Sequence, residues 1–110
     1  MTDSTSKLRG LNYRFAALHK AAPSPMGAFQ GLMGEASKAG KLSTGLKELV
    51  ALALAVGKGC DDCILFHANQ AKSHGISREE LSEVLAICIE MGGGPGAVYA
   101  AKALAIFDEL

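Results

Sequence analysis

Apolar positions recur along the chain at intervals of three and four residues, with Gly, Pro, Ser and Thr gathered between the runs. That period belongs to helices packed by one face. No alternating strand pattern persists for more than a few residues. The first run, roughly Ser6 to Lys20, carries Leu8, Leu11, Phe15 and Leu18 at helical spacing. Ala22-Pro23-Ser24-Pro25 stops it, because proline cannot continue a hydrogen-bonded helix and restricts the residue before it. Ser24 is expected as the N-cap of a second helix, with Pro25 at the favoured first position. That helix runs through Met26, Phe29, Leu32 and Met33 to about Ala39, closed by Gly40. A third begins after Ser43 or Thr44 and carries Leu46, Leu49, Val50, Leu52, Ala53 and Val56. It is apolar nearly all round, so it is expected at the centre, and Gly57 and Gly59 end it.

A fourth helix starts near Cys60 and reaches His74, with Gly75 behind it. The fifth opens on Ser77-Arg78-Glu79-Glu80, a capping box in which Ser77 and Glu80 satisfy each other's exposed amides. It extends to about Met91, Gly92-Gly93-Gly94-Pro95-Gly96 breaks it, and a sixth covers about Ala97 to Glu109. The pattern predicts an all-α, single-domain bundle of six helices with short connections. Residues 1–24 form an N-terminal helix and linker, and residues 25–110 form the core.

Composition narrows the function classes. Eleven basic and eleven acidic residues balance, no Lys/Arg stripe stands out, and there is no Trp and little Tyr or Phe for stacking. Nucleic-acid binding has little support. A neutral chain lacks the charge that keeps copies apart, so self-association is expected. Met1-Thr2-Asp3-Ser4 does not resemble the start of a signal peptide. The longest apolar run, Leu49 to Val56, is far short of the about 20 residues of a membrane span. The expectation is a soluble, cytoplasmic protein. Three cysteines is an odd count, and two stand three apart. In a reducing compartment such a pair is more often catalytic or metal-binding than structural.

Cys60 and Cys63, at a helix start, share one side of the helix. Free backbone N–H groups and the positive end of the dipole stabilise a thiolate there. Asp61 and Asp62 oppose it by repulsion. His67 follows Cys63 by four residues and Cys60 by seven, on the same face. An imidazole there can take a thiol's proton and return one to a leaving group. A satisfied core histidine is the alternative, and the register with both cysteines favours function. Glu48 lies in an otherwise apolar stretch: either it is buried and partnered, or it stands on a solvent edge beside Lys47. Cys88 falls on the stripe Leu81, Val84, Leu85 and reads as a small core residue. His19 and His74, near helix C-termini, suit the dipole. Gly92 to Gly96 lacks the Lys-Ser/Thr of a phosphate loop and reads as a tight turn. Zinc binding by Cys60, Cys63, His67 and a carboxylate is the rival at the cysteine site, but no second ligand pair follows at the usual spacing. No metal or organic cofactor is expected.

Glu48, then eleven residues, then Cys60-Asp61-Asp62-Cys63, then three residues and His67, resembles the pattern of the alkylhydroperoxidase AhpD-like branch of the carboxymuconolactone decarboxylase family. The tail Met91-Gly92-Gly93-Gly94-Pro95 and Tyr99-Ala100-Ala101-Lys102-Ala103-Leu104 is similar too, so the likeness runs from about Pro25 to the C-terminus. The resemblance implies an AhpD-like helical fold and reduction of hydroperoxides through the cysteine pair. It implies that Cys63 attacks the peroxide, that Cys60 resolves the sulfenic acid to a Cys60–Cys63 disulfide, and that Glu48 and His67 relay protons. It implies an external dithiol reductant, lipoyl-carrying or thioredoxin-like, and a homo-oligomer, trimer or hexamer. Local geometry agrees that His67, one turn from Cys63, serves Cys63 better than Cys60. Cys60, at the outer end of the helix, is expected to be the better exposed to a reductant. Some peroxidase members have a His between the cysteines where this chain has Asp61 and Asp62. A weaker peroxidase acting as disulfide oxidoreductase or redox sensor is therefore the alternative. A decarboxylating lyase is suggested only by the wider family name.

Overall fold

The computed structural model describes every residue, Met1–Leu110. Five helices form: α1 Asp3–Ala21, α2 Pro23–Ser37, α3 Thr44–Lys58, α4 Asp61–Ser73 and α5 Arg78–Glu109. The all-helical single domain is as expected; six separate helices are not. The last two expected helices are joined into α5, because only Gly93 leaves helical geometry (φ 62°, ψ −139°) where the sequence pattern predicts a break across Gly92–Gly96. Gly93 can take a positive φ that a β-carbon would strain. Pro95 sits just past the bend, inside the first turn of the second half, where its missing N–H does no harm.

The bend is sharp. A straight helix of 32 residues would be about 48 Å long, yet the longest dimension of the molecule is 39 Å. Gly96 lies against the backbone of Cys88, where an added β-carbon would stand 2.5 Å from the Cys88 carbonyl oxygen. Arg78 at the start of α5 donates to Asp108 near its end through Nε (2.8 Å) and Nη2 (3.1 Å). The Arg78 guanidinium holds the Asp108 carboxyl below its ordinary range.

Caps explain most boundaries. Ser43 accepts from the Leu46 N–H, and the Ser77–Glu80 capping box is complete. Gly59 (φ 67°) and Gly75 (φ 88°) close α3 and α4 in left-handed conformations. The Ser24 cap is not observed. Pro23 already occupies the first turn of α2, and Ala22, without a side-chain cap, precedes it. Proline's fixed φ and missing N–H make Pro23 as suitable a start as Pro25. Thr2 caps α1 ahead of the expected start. Ser4, buried, donates to Glu109 Oε1 from its backbone N–H (2.9 Å), which ties the head of α1 to the tail of α5.

α3 is the central helix. Its Leu49, Leu52, Ala55 and Val56 pack with Ile64 and Ala68 of α4 and with Leu81, Leu85, Ala100, Ala103 and Phe107 of α5. By length and composition α5 could cross a membrane, but it bends back at Gly93 and lends these side chains to the core. α3 lies close against the end of α4 at Gly45, where an added β-carbon would lie 2.7 Å from the His74 carbonyl oxygen. Gly45→Ala is therefore expected to push the helices apart. Alanine's helix preference returns up to about 1 kcal/mol, but displacing packed backbone costs about 2–3 kcal/mol. The net loss lowers Tm by roughly 5–10 °C, measured by thermal melting.

Candidate active site

The site begins at the turn between α3 and α4. Gly59 passes through the left-handed region, and the Cys60 N–H donates to the Ala55 carbonyl at 3.2 Å. Cys60 becomes the N-cap of α4, in the place a Ser or Asp commonly takes. Its sulfur accepts the Cys63 N–H at 3.3 Å. Cys60 and Cys63 form a disulfide, with Cα atoms 5.2 Å apart. Cys63, on the first turn, is exposed, whereas Cys60 is half-buried. This reverses the expected exposure. The N-cap sulfur folds back onto the helix to take its amide, while the third helical residue points outward.

The ring of Tyr99 seals the turn. A β-carbon on Gly59 would lie 3.1 Å from it. Gly59→Ala meets both this ring and the left-handed strain of about 1–2 kcal/mol. It is expected to lower Tm and slow disulfide formation together. Adding Tyr99→Ala removes the clash but not the strain, so melting and thiol assays should show only partial recovery.

Glu48 resolves to the buried, partnered alternative. Projecting from α3, its side chain is 7% exposed, and His67 Nδ1 of α4 stands 2.7 Å from Glu48 Oε2. Nδ1–H donates to the carboxylate, which leaves Nε2 as the free acceptor. Phe66 packs edge-on to the His67 ring at 5.1 Å, and Phe15 of α1 packs on Phe66. The pair borders an open cavity of about 380 Å³ between α2, α3 and α4, lined also by Gln30, Ser37, Lys47 and Gln70. Lys47 is pinned across it, donating to the Ala36 and Lys38 carbonyls at the end of α2. All four expected residues thus lie on α3 and α4, around the head of α4 and its first two turns.

Other candidates take structural places. Cys88 is half-buried against the core, and burial pushes its thiol up. His74 Nδ1 donates to the Gln70 carbonyl (2.8 Å), and His19 sits in the last turn of α1. No group of three or more His, Cys, Asp or Glu side chains is arranged to hold a metal ion. Two contacts went unanticipated. Arg14 reaches Asp62, and Lys102 reaches Asp61, each at 3.0 Å. Asp61 holds the Lys102 ammonium above its ordinary value through a hydrogen bond and its charge. Sequence separations of 48 and 41 residues offer no local signal for either pair.

The fold and site define an all-helical protein with a Cys-x-x-Cys pair at the head of one helix and a His on that helix held by a buried Glu of the helix before it. The chain belongs to the carboxymuconolactone decarboxylase family, whose sequence profile matches residues 23–105. It is 59% identical over 109 residues to an uncharacterized protein of Cupriavidus necator, covering 99% of this chain and 96% of that one. It is 35% identical over 71 residues to uncharacterized protein 4 in the cox locus of Paracoccus denitrificans, covering 64% of each chain. The crystal structure of an apo carboxymuconolactone decarboxylase family protein from Legionella pneumophila superposes with a TM-score of 0.92 at 40% identity, over 98% of this chain and 97% of that one.

Proposed function

We propose that the protein is a thiol-dependent hydroperoxide reductase working through Cys60 and Cys63. The observation that carries this is the pairing of Glu48 of α3 with His67 of α4, which stands one turn beyond Cys63 on the helix headed by the disulfide-forming Cys60–Cys63 pair. In the reduced protein the Cys63 thiolate attacks the terminal oxygen of a hydroperoxide ROOH. The O–O bond breaks, Cys63 becomes a sulfenic acid, and the alkoxide leaves as ROH with the proton that His67 Nε2 had taken from the Cys63 thiol. Glu48 holds the ring and stabilises its cationic form. The Cys60 thiol then gives up its proton and attacks the Cys63 sulfur, and hydroxide leaves with that proton as water. A dithiol reductant closes the cycle. Its thiolate attacks the exposed Cys63 sulfur, Cys60 departs as a thiolate stabilised by the Cys63 N–H and the helix dipole, and the second reductant thiol releases the mixed disulfide.

Consumption of cumene hydroperoxide with dihydrolipoamide as reductant tests this. Turnover that disappears in the Cys60→Ser, Cys63→Ser double variant supports it, and wild-type consumption no faster than the buffer rejects it. The exposed Asp61 and Asp62 favour a second reading, a disulfide oxidoreductase or sensor with weak peroxidase activity. That reading predicts exchange with protein disulfides faster than peroxide turnover. Either chemistry suits a reducing, cytoplasmic setting.

A homo-oligomer, trimer or hexamer, forms part of the same proposal. Only 19 of 110 residues are buried, and Val50, Leu54, Ile87, Met91 and Val98 stand exposed on α3 and α5. An apolar groove of about 550 Å³ runs between those helices. Surface of this kind is usually covered by a partner. Light scattering of the purified protein is expected to give a multiple of the 11.4 kDa chain, and a monomer would contradict it.

A further inference from the structure

The two residues between the cysteines are both aspartates, an unfavourable setting for a sulfur that must ionise. Carboxylates in the first helical turn consume the positive field of the helix end, and each lies close enough to a thiolate to repel it. The structure answers each with a cation from a different helix. Lys102 Nζ of α5 stands 3.0 Å from Asp61 Oδ1, and Arg14 Nη2 of α1 stands 3.0 Å from Asp62 Oδ2.

Lys7, Glu109 and Glu48, on the elements packed against α4, are engaged elsewhere, and Lys58 is unpaired. On α1, Lys7 pairs with Asp3 at 3.2 Å. On α5, Glu109 accepts from Ser4. On α3, Glu48 is occupied by His67, and Lys58 forms no ion pair. Arg14 and Lys102 are the cations that pair with the carboxylates of this turn, each with its own.

We propose that Arg14 and Lys102 are positioning residues of the dithiol: they mask Asp62 and Asp61, so that thiolate can form at the head of α4. This role rests on the redox reading of Cys60 and Cys63. The pairs are half-exposed, so they act as charge masks that salt can replace rather than as struts of the fold. A carboxylate unmasked on the residue next to a cysteine is expected to lower the thiolate population at neutral pH about threefold, the size of a unit-charge interaction in a water-like medium.

The test is the rate at which iodoacetamide alkylates the reduced protein as a function of pH, read by mass spectrometry on the peptide holding Cys60 and Cys63. This readout excludes Cys88. Arg14→Ala and Lys102→Ala are each expected to slow alkylation about threefold at neutral pH, and together about tenfold. Arg14→Lys is expected to keep the wild-type rate. Adding Asp62→Asn to Arg14→Ala, or Asp61→Asn to Lys102→Ala, should restore it, which a lost structural contact would not do. The differences should shrink between about 10 mM and about 1 M salt, where the screening length falls from roughly 30 to 3 Å. Unchanged rates in both alanine variants, or slowing that neither asparagine restores, overturn the role while wild-type disulfide formation leaves the redox reading standing. A wild-type protein that alkylates yet forms no disulfide with hydroperoxide sinks the redox reading, and this role with it.

Discussion

Cys63→Ser is expected to abolish hydroperoxide turnover, with a loss of at least about 1,000-fold, because it removes the attacking thiolate and leaves Cys60 no partner with which to form the disulfide. Cys60→Ser should behave differently. It retains the first step, so one equivalent of hydroperoxide converts Cys63 to a sulfenic acid that dimedone traps. Turnover then stalls, because no resolving thiol is present. Cys63→Ser should give no dimedone adduct at the Cys60 position. The asymmetry follows from geometry. Cys63 is exposed and stands one turn before His67, whereas Cys60 is half-buried with its sulfur turned back onto the Cys63 amide. Adduct formation at Cys60 in Cys63→Ser, and none at Cys63 in Cys60→Ser, would exchange the two roles. Both changes leave the core intact, so melting temperatures of the reduced variants should stay near that of the reduced wild type.

Glu48→Gln is expected to lower turnover about 100-fold, the lower range of what a positioned acid–base group contributes. The amide keeps the volume and can still accept from His67 Nδ1–H, so Tm should move little. It loses the negative charge that steadies a cationic His67 while the alkoxide waits for its proton. Glu48→Ala should lose stability as well, because it removes a buried side chain and strips His67 of its partner. Parallel rate and melting measurements separate the two effects. Equal rates for Glu48→Gln and wild type would remove the proton relay from the mechanism and leave Glu48 a packing residue.

What could be read in the sequence was chiefly local. Cys60, Cys63 and His67 lie within eight residues of one helix, so periodicity alone places them on one face. Ser43 and the Ser77–Glu80 box announce their helix starts through side chains that bond within a turn. Glu48 was ambiguous because its partner is 19 residues away on another helix, and burial of one helix edge is a tertiary property. The cap at Ser24 failed because two prolines compete for one helix start, and local preference does not rank them. The expected break at Gly92–Gly96 shrank to Gly93, since one residue of positive φ reverses the chain without unwinding its neighbours. Exposure of the two cysteines came out inverted because the cap hydrogen bond draws the first sulfur inward. Arg14 and Lys102 were invisible for the plainest reason: ion pairs between surface helices depend on how those helices are stacked.

The most direct measurement is a thiol count on the reduced protein after one equivalent of hydroperoxide per chain. Each chain carries three cysteines. The account predicts that two thiols disappear, that peptide mapping finds Cys60 joined to Cys63 within one chain, and that Cys88 remains free. Three free thiols after the peroxide has been given time to react, or loss confined to Cys88, would contradict it.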